Sequence, residues 1–156
     1  MTARTLALAS PAATCALARR LAPRLGPGDV LLLSGAVGAG KTHFARCLIQ
    51  SLLPGPEDVP SPTYTLVQTY PGPTAEIWHA DLYRLTDPAE LVELGLTDAF
   101  ESAICLVEWP DRLGDLAPGN ALALDLAPGE DDDARRLTLR WSDPRWAGRL
   151  EGIADD

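Results

Sequence analysis

Two uninterrupted apolar runs, Val30 to Leu33 and Ala103 to Val107, stand out from a chain that otherwise alternates. Each is strand-sized, and a strand without polar positions is one covered on both faces. Weaker two-residue alternation predicts further strands at Arg4 to Ala9, Leu66 to Tyr70, Glu76 to Ala80, Asn120 to Leu126 and Arg136 to Trp141. Pro71-Gly72-Pro73 is a turn, so Leu66 to Tyr70 and Glu76 to Ala80 pair as a hairpin.

Helical spacing fills the intervals. Ser10-Pro11 supplies an N-cap and a first-position proline, and Ala13, Leu17, Ala18 and Leu21 form the apolar face that follows. Arg19, Arg20 and Arg24 lie at the end of this helix, where cations suit the dipole and face solvent. Phe44, Ala45, Leu48, Ile49 and Leu52 are the stripe of a second helix, stopped by Pro54-Gly55-Pro56. Asp87-Pro88-Ala89-Glu90 starts a third, whose stripe of Leu91, Leu94 and Leu96 is interrupted at Gly95. Ser142-Asp143-Pro144 opens a last short helix carrying Trp146 and Leu150, after which Glu151 to Asp156 is expected to fray. Strands interleaved with helices make this an α/β chain.

Composition narrows the class. The 156 residues suit one domain, 1–156, with 46% apolar and 22% charged positions. A net charge of -9 argues against a protein that grips nucleic acid through its own phosphate contacts, so any nucleic-acid connection should run through a partner. The apolar runs are too short for a membrane span and the N-terminus lacks the apolar core of a signal peptide; the expectation is a soluble cytoplasmic protein with no membrane contact. Cys15, Cys47 and Cys105 are scattered singly without C-x-x-C spacing, which predicts buried reduced thiols and neither a zinc site nor a disulfide framework.

Between the first apolar run and the second helix lies Gly35-Ala36-Val37-Gly38-Ala39-Gly40-Lys41-Thr42, which matches G-x-x-x-x-G-K-[ST] at every fixed position. A triphosphate needs several backbone N–H groups converging on its oxygens, and glycines let the chain curl that tightly. Lys41 adds a charge for the β and γ phosphates, the Thr42 hydroxyl suits Mg²⁺, and the helix start directs its positive dipole end at the anion. Lys41 is also the only lysine in the chain, all other basic residues being arginine. That excludes the N-K-x-D element of guanine recognition, which needs a second lysine. Asp111-Arg112-Leu113-Gly114 matches D-x-x-G but follows Pro110 in a loop, and we read it as chance.

Two carboxylates follow the same logic. Asp81 ends the strand Glu76 to Ala80, and Glu108 ends the second apolar run; a carboxylate at such a strand end acts on Mg²⁺ directly, through water, or on the attacking group. Two readings stand with equal weight for Pro60-Ser61-Pro62-Thr63-Tyr64-Thr65: a rigid loop into a strand, or a segment whose hydroxyls sense the γ-phosphate. Trp109 either lines the nucleotide pocket or closes the core edge. His79 reads as a packed strand residue rather than a base, and His43 as a solvent-facing helix residue.

With these residues assembled, the chain resembles the TsaE (YjeE) family of small bacterial ATPases needed for threonylcarbamoyladenosine in tRNA. Four blocks carry the resemblance: the Gly35 to Thr42 loop, Ser61 to Val67, His79 to Leu85, and Ile104 to Pro110. It implies a P-loop NTPase-like mixed β-sheet flanked by helices, binding ATP and Mg²⁺ in complex with the TsaB and TsaD proteins. It further implies that Thr42 and Glu108 hold the metal with Asp81 beside it, that Trp109 supports the nucleotide site, and that Ser61, Thr63, Tyr64 and Thr65 form a switch loop. Asp133-Ala134-Arg135 and the Ser10 turn are similar to elements that approach adenine. The chain departs from the family pattern at Ala36, where an acid is usual, and at His43, where Thr or Ser is frequent. Catalysis is thereby assigned to Lys41, Asp81 and Glu108, in a weak, partner-stimulated ATPase that resets the modification complex. The competing readings are a small-molecule P-loop kinase and a non-catalytic nucleotide-sensing module.

Overall fold

The apolar run Val30 to Leu33 becomes the central strand of a mixed sheet. A computed structural model of the protein describes residues 1–36, 38–55, 57–62 and 65–153. The strands are β1 (Thr2–Leu8), β2 (Val30–Ser34), β3 (Val67–Pro71), β4 (Glu76–Asp81), β5 (Ile104–Glu108), β6 (Leu122–Pro128) and β7 (Arg135–Trp141). The helices are α1 (Pro11–Leu21), α2 (Lys41–Leu52), α3 (Ala89–Leu94), α4 (Leu96–Ser102) and α5 (Arg145–Arg149). The strands lie in the order β1-β7-β6-β2-β5-β4-β3. β2 runs parallel to both β5 and β6, and β5 parallel to β4, while β3, β7 and β1 join antiparallel.

The sheet is covered on both faces, as the two unbroken apolar runs require. Leu31, Leu33, Ile104 and Leu106 point into one core with Leu17 and Leu21 of α1 and Phe44, Leu48 and Ile49 of α2. Val30, Cys105 and Val107 point into the other with Leu91, Leu96 and Phe100 from α3 and α4. At about 25 cal/mol per Å² of apolar surface, these two layers supply most of the drive to fold.

Local signals held where they were chemical. Ser10 caps α1, its hydroxyl accepting from the Ala13 amide at 3.1 Å. Gly95, at φ 86°, separates α3 from α4. Val67–Pro71 and Glu76–Asp81 form the predicted hairpin.

Three expectations are corrected. Cys15 and Cys47 are joined in a disulfide between α1 and α2, with Cα atoms 5.3 Å apart, so only Cys105 is a free buried thiol; the helix packing that brings them together is invisible to local spacing. Arg20 and Arg24 are not merely solvated ends: Arg20 Nε donates to the Ile153 carbonyl at 2.8 Å, and Arg24 donates to those of Arg149 and Glu151 at 2.8 and 2.7 Å. The C-terminal stretch consequently does not fray at residues 151–153, where Ile153 is only 1% exposed; residues 154–156 lie outside the described ones. α5 is further anchored by a buried carboxylate, Asp29, which takes charge-assisted contacts from Arg145 and Arg149 and accepts from the Gly26 amide. Among the described residues no helix is long and apolar enough to cross a membrane.

Candidate functional site

The parallel strands β2, β4 and β5 end side by side, and their C-terminal ends carry the chemistry, as is general for open α/β sheets. Leu33 pairs with Glu108, and Asp81 pairs with Glu108 on the other side. Register therefore sets the two predicted carboxylates next to each other, directly beside the loop that leaves β2. Both are buried.

The loop itself is built on glycines. Gly35 has φ 143°, and a Cβ there would stand 2.6 Å from the Leu126 carbonyl oxygen of β6. Gly40, the residue before α2, has φ 104°. Lys41 is the first residue of α2, buried, with Nζ donating to the carbonyls of Gly35 at 2.5 Å and Ala36 at 3.2 Å. The same ammonium lies 4.0 Å from the centroid of the Trp109 ring, a cation–π contact. Burial pulls Lys41 below its ordinary pKa, while the nearby Glu108 and Asp81 carboxylates pull it back up.

Trp109 owes this position to its backbone. It sits at φ 59° and ψ 54°, a left-handed conformation uncommon for a bulky residue. Such strain persists only where the surroundings hold it and clusters at functional positions. Tyr83 packs its ring 4.9 Å from that of Trp109.

Thr42 Oγ1 donates to Glu108 Oε1 at 2.7 Å. The other carboxylate oxygen, Oε2, lies 2.7 Å from His79 Nε2. Asp81 Oδ1 accepts the Tyr83 amide at 3.0 Å. Gly38, Lys41, Thr42, Ser61, Asp81, Tyr83, Glu108 and Trp109 together line a cavity of about 310 Å³.

A second cavity of about 290 Å³ opens on the other side of the loop, between Pro11, Thr14, Gly38, Ala39, Gly40, His43, Asp133 and Arg135. Arg135 crosses from β7 to the loop, its Nε donating to the Ala39 carbonyl at 3.0 Å. His43 is half-buried rather than solvent-facing, with Nε2 3.0 Å from the Pro11 carbonyl. Ser10 keeps its hydroxyl on the helix cap, and it is the following residue, Pro11, that faces the second cavity.

Most of the predicted residues thus converge. Ser61 reaches the first cavity, whereas Thr65 is exposed and accepts from the Gln68 amide group at 3.0 Å. Val37 of the loop and Thr63 and Tyr64 of the expected switch segment lie outside the described residues. Trp109 satisfies both of its readings, facing the cavity while packing against the α3/α4 core. His79 is packed within β4 as expected, yet it also meets Glu108, and Tyr83 lines the cavity; neither stands among the site residues the sequence singles out. His79 is two positions before Asp81 on one strand, hence on the same face, and that spacing was the available signal.

Sheet order, glycine loop and paired strand-end carboxylates define an α/β protein of P-loop NTPase-like architecture. The chain belongs to the TsaE family: the family profile, described as threonylcarbamoyl adenosine biosynthesis protein TsaE, matches residues 8–137. Among similar relatives, the tRNA threonylcarbamoyladenosine biosynthesis protein TsaE of Rickettsia bellii is 38% identical over 115 residues, covering 74% of this chain and 80% of that one. Its namesake from Bacillus subtilis is 36% identical over 132 residues, covering 83% and 80%. The crystal structure of Bacillus subtilis YdiB matches the fold with a TM-score of 0.81 at 27% identity, over 99% of this chain and 95% of that one.

Proposed function

We propose that this protein is a cytoplasmic ATPase that serves the threonylcarbamoyladenosine modification of tRNA as an accessory subunit, working with the TsaB and TsaD proteins. The observation that carries this reading is the convergence of Lys41, Thr42, Asp81 and Glu108 on one cavity at the ends of parallel strands. Family membership supplies the biosynthetic context.

The residues fit a magnesium nucleotide. Hydroxyl and carboxylate oxygens are the hard donors that Mg²⁺ prefers, and Thr42 and Glu108, already in contact, would hold the ion with Asp81 beside it. Added Cβ atoms at Gly38 and Gly40 would meet no atom within 4 Å, so the loop backbone is open to an approaching phosphate. When bound, Mg²⁺ supplies neutralisation of charge on the β and γ oxygens.

The remaining work falls to the chain. Lys41 leaves its carbonyl partners to meet the γ-phosphate and stabilises charge that builds in the transition state. Asp81 or Glu108 orients the attacking water, and the products are ADP and inorganic phosphate. Arg135, Pro11 and Thr14 border the cavity suited to the base. The net charge of -9 leaves tRNA contact to the partner proteins.

The test is ATP hydrolysis by the purified chain, alone and with TsaB, TsaD and tRNA. Stimulation that disappears in Lys41→Ala and Glu108→Ala supports the reading. Undiminished hydrolysis by Lys41→Ala would count decisively against it.

A further inference from the structure

We propose that His79 is a positioning residue that fixes the rotamer of Glu108, so that one carboxylate oxygen is pinned and the other is presented to Thr42 and the metal. This rests on the reading of Glu108 as the magnesium-site carboxylate.

His79 is fully buried in the middle of β4, and Glu108 is 2% exposed at the end of β5. His79 pairs in register with Leu106, so its ring lies on the same sheet face as Glu108 and reaches one pleat along the neighbouring strand. The Nε2 to Oε2 distance is 2.7 Å, the length of a strong hydrogen bond to a carboxylate. Nδ1 is buried with no hydrogen-bond partner among the described residues. A hydrogen on Nδ1 would be a buried donor left unmade, so the proton belongs on Nε2, donating to Glu108. Of the other side chains on that face nearby, Ile77, Ile104 and Leu106 are apolar, Asp81 is a second carboxylate, and Gln68, in register with His79 on β3, gives its amide to Thr65 instead. A carboxylate oxygen facing such a surface without a partner pays a large desolvation penalty and turns toward another donor. The closest cation at the cavity is the Lys41 ammonium, whose proton affinity Glu108 already raises. Loss of His79 would therefore swing Glu108 toward Lys41 and draw both groups away from their tasks. Partners that orient a metal ligand in this way are typically worth about 10–100-fold in metal affinity or activity.

The experiment compares His79→Leu, His79→Asn and His79→Gln in the full chain. Gln carries an N–H at about the reach of Nε2, whereas Asn is too short and Leu has no donor. Binding of a non-hydrolysable ATP analogue is measured by calorimetry with Mg²⁺ and with EDTA, alongside kcat and KM for ATP and a melting curve. The expected result is a Mg²⁺ requirement raised and kcat lowered about 10–100-fold in Leu and Asn. Binding in EDTA should fall by less than binding with Mg²⁺, and Gln should recover most of the loss. Should Leu fail to fold, the Gln and Asn pair decides. A folded Leu variant with wild-type kcat and Mg²⁺ dependence overturns the positioning role alone, as does a Gln variant no better than Asn. Wild-type protein that binds no nucleotide removes the magnesium-site reading itself, and the positioning role with it.

Discussion

Substituting alanine at two glycines of the same loop separates two physical effects that are normally entangled. Gly35 has φ 143° and a virtual Cβ 2.6 Å from the Leu126 carbonyl oxygen; Gly38 has φ 82° and nothing within 4 Å. Gly38→Ala therefore meets only the torsional cost of a left-handed L-residue, about 1–2 kcal/mol. Gly35→Ala meets a torsional cost of about 1–3 kcal/mol and also an overlap with backbone that is fixed in a β-ladder, about 1–3 kcal/mol more. The Leu126 carbonyl cannot retreat cheaply, because β6 is paired with β7 at Leu126 and with β2 up to the preceding residue, Asp125. Taking about 4 kcal/mol for Gly35→Ala and a shift of about 2–4 °C per kcal/mol at this size, melting falls by about 12 °C, against about 4 °C for Gly38→Ala. Urea denaturation followed by circular dichroism reads the free energies, and differential scanning calorimetry reads the melting shifts. Equal losses at the two positions, or a larger loss at Gly38, would refute the argument that the loop is packed against β6.

Further outcomes follow from features far from the cavity. Reducing the Cys15–Cys47 disulfide, or replacing either cysteine with serine, removes a link across 32 residues and should cost about 3–4 kcal/mol on the loop-entropy estimate; a Cys15→Ser protein that melts with the oxidised wild type would contradict this. Cys105, fully buried with its thiol pushed up to about 12 by that burial, should take up no maleimide at pH 8 until denaturant is added, and prompt labelling of native protein would count against the buried strand. Asp143 is held below its ordinary pKa of 3.8, chiefly by the Arg145 amide and then by the Arg145 side chain. A depressed carboxylate stabilises the fold above pH 3.8 and loses that contribution as pH falls through its folded value. The melting temperature of Asp143→Asn should therefore lie below wild type at pH 6 and converge with it under acid; a gap that persists unchanged at pH 2 would be the wrong result.

The centre of the fold was legible because its signals are local and redundant. Val30 to Leu33 is apolar on both faces, Gly35 to Thr42 has a fixed chemical spacing, and the next stripe repeats at helical period, so strand, loop and helix support one another. Asp81 and Glu108 could be nominated as strand ends, yet their adjacency depends on parallel register between β4 and β5. The same register supplies the partner of His79, Glu108, which stands 29 positions away in sequence and leaves no local sign beside the histidine. Cys15 with Cys47, and Arg20 and Arg24 with the C-terminal carbonyls, belong to the same kind: each contact is made by helix packing or chain return, which spacing does not encode. Trp109 differs. Nothing in a tryptophan before a proline announces a left-handed backbone, in which the Trp109 amide donates to the Leu33 carbonyl of β2 at 3.3 Å.

The Lys41 ammonium rests against two carbonyls and an aromatic face, and this has a consequence for selectivity. An anion arriving at the loop meets an exchange reaction instead of a bare charge: three existing contacts are surrendered for those it brings. Its observed affinity is the difference between the two sets. A small ion that offers one oxygen at a time returns less than it displaces, whereas a polyphosphate, engaging lysine and loop amides together, returns more. If the loop binds ATP as proposed, the resting contacts would set a threshold that simple anions fail to pass, without any steric gate.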